Sequence, residues 1–100
     1  MKTILLIEDD KILRENTAEL LELSGYRIIT SPNGKIGIDT ATKQLPDLIV
    51  CDIMMPEIDG YGVLEALSNN ESTQQIPFIF LSAITEHKAI RKGMDLGADD

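Results

Sequence analysis

The sequence predicts an α/β fold, a doubly wound parallel sheet with helices on both faces. Three observations carry that expectation. Unbroken apolar runs at 3–7, 48–51 and 76–81 have the make-up of strands buried on both sides. Between them lie stretches whose apolar residues recur at helical spacing among charged neighbours. The links are short and built from Gly, Pro, Asn and Asp, so strand and helix alternate and close by right-handed crossovers into a parallel sheet.

Thr3 to Ile7 is the first strand, and it runs at once into Glu8, Asp9 and Asp10. Lys11 to Ser24 is an amphipathic helix carrying Ile12, Leu13, Leu20, Leu21 and Leu23, with Gly25 as its C-terminal cap. Tyr26 to Thr30 is the second strand, followed by the turn Ser31-Pro32-Asn33-Gly34. Lys35 to Gln44 is a weaker helix, because glycine and β-branched residues lower its propensity. Pro46-Asp47 leads into the third strand, Leu48 to Cys51, which stops at Asp52 and a loop holding Pro56 and the pair Asp59-Gly60. There Gly60 is expected to supply an unusual backbone angle. Val63, Leu64 and Leu67 mark the third helix, the polar stretch Ser68 to Gln75 follows, and Ile76 to Leu81 is the fourth strand, ended by Ser82. Residues 83–96 read as a fourth helix, capped by Gly97.

One hundred residues with 43% hydrophobic and 4% aromatic content allow one domain with a modest aliphatic core. Nine Lys+Arg against 17 Asp+Glu give a formal charge of -8, which argues against nonspecific nucleic-acid binding by this segment and favours cations and basic partner surfaces. The single cysteine, Cys51, excludes an internal disulfide and a multi-cysteine zinc site and reads as a small core residue. The aliphatic run Ile4 to Ile7 is too short for a signal-peptide core or a membrane span, so the expected location is cytoplasmic, with no membrane partner.

In an open parallel sheet, functional groups gather beyond the carboxyl ends of the strands, where the strand order reverses. Those ends carry Glu8, Asp9 and Asp10 after the first strand, Asp52 after the third and Ser82 after the fourth. If the first and third strands are neighbours, as in a 2-1-3-4 order, these groups fall within one pocket, where two unit charges ~5 Å apart repel by roughly 3 kcal/mol at an effective dielectric of ~20. A hard divalent cation resolves that conflict, and Mg²⁺ suits one or two carboxylates, a backbone carbonyl and several waters. Its open positions leave room for a phosphoryl oxygen, so that Asp52 can act as a nucleophile on phosphorus to give an aspartyl phosphate, with a hydroxyl such as Ser82 stabilising the transferred group.

These residues resemble a known family. Glu8-Asp9, Asp52 followed by Met54-Met55-Pro56 and Asp59-Gly60, and Leu81-Ser82-Ala83 resemble the receiver domain of two-component response regulators, a flavodoxin-like fold with strands in the order 2-1-3-4. The resemblance covers the whole chain. It implies that Asp52 is the phosphoacceptor, taking its phosphoryl group from the phosphohistidine of a sensor histidine kinase or a phosphotransfer protein. It implies a Mg²⁺ site of Asp9, Asp52, the Met54 backbone carbonyl and, through water, Glu8. Ser82 matches the family's switch hydroxyl, and Ala83 leaves the phosphorus open to water and donor. The function so implied is a phosphorylation-dependent signalling switch, not an enzyme on an external metabolite, though the domain assists its own phosphorylation and dephosphorylation. The output partner is unspecified.

One departure stands out. The family's fifth strand, with its lysine and aromatic residue, and its last helix find no counterpart before Asp100, so residues 1–100 are expected to be a receiver domain incomplete at its C-terminus. Lys88 and Lys92 read as solvated helix residues, not as substitutes. Such an edge invites dimerisation or exchange of elements between chains. Competing readings remain. Glu8, Asp9 and Asp10 precede a helix and can serve as caps. His87 reads as solvated, and a strand-end serine such as Ser82 can simply bond its own backbone. The whole chain can act as an interaction or dimerisation module without phosphotransfer. A phosphohydrolase using an aspartyl phosphate would want an acid where Met54 stands, and a flavin nucleotide would want donors where the first loop is acidic.

Overall fold

A computed structural model gives the fold and describes residues 1–81. Its elements are β1 (Thr3–Ile7), α1 (Lys11–Leu23), β2 (Arg27–Ser31), α2 (Gly34–Gln44), β3 (Leu48–Cys51), α3 (Gly60–Ser68) and β4 (Phe78–Phe80). The sheet is parallel throughout, as the sequence predicts, in the order β2-β1-β3-β4 that the resemblance implies. Ser82, Ala83, His87, Lys88, Lys92 and the helix expected over 83–96 lie outside the described residues.

Alternation along the strands divides the core in two, because successive side chains leave a strand on opposite faces. Leu5, Ile7, Ile49 and Cys51 point to one face, where they meet Ala41 of α2 and Val63 and Leu67 of α3. Ile4, Leu6 and Val50 point to the other, against Leu13, Ala18 and Leu21 of α1. Leu5, Leu6, Ile7, Ile49 and Cys51 are wholly buried. Burying each large aliphatic side chain contributes about 1.5–3 kcal/mol. Among the described residues one face thus carries two helices and the other one, as right-handed crossovers require when the chain steps to one side of β1 and then back across it.

The first helix differs from the apolar stripe expected of it. Leu13 and Leu21 pack on the sheet, whereas Ile12, Leu20 and Leu23 are exposed. Beside Leu20 and Leu21 the sheet opens into an apolar groove of about 280 Å³ bordered by Tyr26, Val50, Ile79 and Leu81. The glycines that make α2 a weak helix have a packing reason. A Cβ on Gly37 would stand 2.5 Å from Ile7 Cδ1, so only glycine lets α2 lie this close to β1.

Strand and helix ends agree with the sequence reading to within one or two residues. The fourth strand is shorter than the apolar run, because Ile76 N–H is spent on Thr73 O and Pro77 has no N–H to offer. At the end of α2, Leu45 adopts a left-handed φ of 47° to turn the chain toward β3, a cap with no glycine to announce it. Among the described residues no helix is long and apolar enough to cross a membrane.

Candidate functional site

Parallel pairing aligns the ends of β1 and β3. Ile7 is in register with Cys51, and Asp52 N–H donates to Ile7 O at 3.0 Å. On the other side, Glu8 N–H donates to Ser31 O at 3.0 Å, so Glu8 leaves the sheet between β2 and β3. The acids after β1 and the acid after β3 therefore emerge side by side, and Leu81 N–H, donating to Cys51 O at 2.8 Å, brings the end of β4 to the same rim.

At that rim one carboxylate oxygen each from Glu8, Asp9 and Asp52 lie within 4.8 Å of one another. The three differ in setting: Glu8 is buried, Asp52 half-buried and Asp9 exposed. Asp52 is oriented by Ile53 N–H, which donates to its Oδ1 at 2.9 Å. Glu8 accepts from Asp10 N–H at 2.9 Å through Oε2, while its Oε1 is buried without a hydrogen-bond partner. Burial pushes the Glu8 carboxyl up to about 8, the Asp10 N–H works against that, and the neighbouring Asp9 carboxyl and the charge of Asp52 add to it. Burial, followed by the charge of Asp52, also drives the Cys51 thiol well above the ordinary thiol range. Cys51 is accordingly inert core, with its Sγ 3.3 Å from Asp52 O.

The donor set fits a hard dication. All three groups are carboxylates, one oxygen is buried with nothing to bond, and a dication relieves the repulsion among them. The capping alternative belongs to Asp10 alone, whose Oδ1 accepts from Leu13 N–H at 3.0 Å as the N-cap of α1. Met54, two residues beyond Asp52, has an exposed side chain. Ser82 lies outside the described residues.

The family model for the response regulator receiver domain matches residues 4–100. The chain belongs to that family. The receiver is 38% identical over 100 residues to the transcriptional regulatory protein AfsQ1 of Streptomyces coelicolor, covering all of this chain and 43% of that protein. It is 36% identical over 100 residues to the DNA-binding dual master transcriptional regulator RpaA of Synechocystis, of which it covers 42%. The receiver thus spans about two fifths of the length of these relatives. Among solved structures it resembles the receiver domain of the sensor histidine kinase PA1611 of Pseudomonas aeruginosa, at 26% identity and a TM-score of 0.82 over 99% of this chain and 81% of that one. That structure holds a magnesium ion coordinated in the active-site cleft. Membership makes the chain a signalling domain with a phosphorylation-dependent role.

Two residues of the receiver's site escape a reading by residue type. Gly60 does not adopt the unusual backbone angle expected of it, since among the described glycines only Gly25 has a positive φ. Its role is closeness: a Cβ there would stand 2.5 Å from Asp52 O and 2.9 Å from Ile53 Cα, and Gly60 N–H donates to Ile53 O at 2.9 Å. The first residue of α3 is thereby pressed against the backbone of Asp52. The pair Asp59-Gly60 signals this only as a turn. The second is Arg14, which nothing in the sequence singles out; its Nη1 donates to Glu8 O at 2.8 Å.

Proposed function

We propose that this receiver accepts a phosphoryl group on Asp52 from the phosphohistidine of a sensor histidine kinase or a phosphotransfer protein, and that the modification alters its partner-binding surface. The observation that supports this most is the convergence of Glu8, Asp9 and Asp52 within 4.8 Å around a buried, unpartnered Glu8 oxygen. Asp9, Asp52 and the Met54 carbonyl would hold Mg²⁺ directly, with Glu8 acting through water. The ion supplies positive charge against the phosphoryl oxygens and the acids.

The chain's own residues do the remainder. An Asp52 carboxylate oxygen attacks phosphorus, the new O–P bond forms as the P–N bond to the donor imidazole breaks, and the imidazole leaves with the bonding pair. The Ile53 N–H at Oδ1 and the contact of Gly60 hold the carboxylate in line. Ser82 binds the transferred group by its hydroxyl, and Ala83 leaves the phosphorus accessible to water. The names of the transcriptional relatives support gene expression as the kind of output that follows.

The test is intact-mass analysis after incubation with acetyl phosphate. A gain of one phosphoryl group is expected with Mg²⁺, none with EDTA, and none in Asp52→Asn. No gain with Mg²⁺, or an undiminished gain in the variant, rejects the proposal and leaves the reading of a docking module without phosphotransfer.

A further inference from the structure

We infer that Arg14 is a positioning residue that sets the β1–α1 turn to the shape a small dication requires. The inference rests on the reading of Glu8, Asp9 and Asp52 as a metal site. The turn is held by a closed circuit of hydrogen bonds. Asp10 N–H donates to Glu8 Oε2 at 2.9 Å, Leu13 N–H to Asp10 Oδ1 at 3.0 Å, Arg14 N–H to Asp10 O at 2.8 Å, and Arg14 Nη1 returns to Glu8 O at 2.8 Å. The same nitrogen stands 3.5 Å from Asp9 O. Arg14 is thus the link by which the first turns of α1 grip the backbone of both acids.

What Arg14 leaves alone matters as much as what it touches. Among the described residues it makes no ion pair with Glu8, Asp9 or Asp52, so its bond competes with no carboxylate oxygen for a metal. A guanidinium aimed at the carboxylates would have to be displaced when a cation arrives. One aimed at the carbonyls persists, and as a charge-assisted donor it fixes the backbone from which the two side chains start. Without it, the turn that carries Glu8 and Asp9 loses its tie to α1 and is free to relax in the metal-free state.

Ion size then becomes the informative variable. Mg²⁺ demands near-ideal octahedral geometry at short distances, whereas Ca²⁺ accepts irregular shells at longer ones. A residue that sets geometry therefore affects Mg²⁺ more than Ca²⁺, while one that merely stabilises the fold affects both alike. Outer-shell partners of metal ligands typically change affinity by about 10–100-fold.

The experiment titrates the full chain, Arg14→Met and Arg14→Lys with MgCl₂ and with CaCl₂, followed by amide chemical shifts, and measures amide exchange at Asp10 and Leu13 in EDTA. In Arg14→Met, Mg²⁺ affinity is expected to fall about tenfold or more, Ca²⁺ affinity by a smaller factor, and exchange at both amides to quicken. Arg14→Lys, which keeps the charge and loses the fork, is expected to fall between and decides the matter should the methionine variant not fold. Equal losses for the two ions, or an unchanged Mg²⁺ affinity, overturn the role of Arg14 while the metal site stands. Failure of the unmodified chain to bind either ion overturns the site itself and this inference with it.

Discussion

Removing metal and raising pH should destabilise this receiver, and Glu8 sets the size of the effect. In the unfolded chain the carboxyl ionises near 4.5, whereas burial among other acids raises it to about 8 in the fold. Between those values the folded state keeps a proton that the unfolded state has lost, so unfolding releases it and becomes easier as pH rises. The contribution is complete below about pH 4.5 and is lost as pH passes through about 8. Its slope approaches about 1.4 kcal/mol per pH unit, and across the window it amounts to a few kcal/mol, about 5 at the limit. Against a total of roughly 5–15 kcal/mol for a domain, that is a large share. Mg²⁺ should reverse it, because a bound dication favours the ionised carboxyl and stabilises the folded state by mass action. The assay is urea unfolding from pH 5 to 9 in EDTA and in excess Mg²⁺, with Glu8→Gln alongside. The expected result is stability falling toward pH 8 in EDTA, a flatter profile with Mg²⁺, and a flatter metal-free profile in the variant. Metal-free stability that is level or rising between pH 5 and 8, or an unchanged slope in Glu8→Gln, would refute the account.

Two further outcomes follow from the same geometry. Gly60→Ala places a methyl against the Asp52 carbonyl and should cost about 1–3 kcal/mol as overpacking does, with slower phosphorylation by acetyl phosphate; urea unfolding and timed intact-mass measurements check both. Asp10→Ala removes the N-cap of α1 and should cost about 1 kcal/mol, read as a lower urea midpoint in EDTA.

The order of strands and helices was legible because each run is short: Ile4 to Ile7 and Leu48–Cys51 are apolar at every position, as two-sided burial requires. The acids were legible for a related reason, since Glu8, Asp9 and Asp52 directly follow those strands and a parallel sheet points all its strand ends one way. Distances of closest approach were not. That Gly60 serves by contact and not by its backbone angle, that Asp10 alone of the three acids caps α1, and that Arg14 reaches back to the Glu8 carbonyl all depend on where elements meet. By itself, then, the sequence determined the fold class and the end of the sheet at which acids accumulate, because these follow from local periodicity and chain direction, while the 2-1-3-4 strand order came with the resemblance to the receiver family. Only the tertiary structure decided which acid is buried, which is oriented and which backbone is clamped, because those depend on packing between segments far apart in the chain.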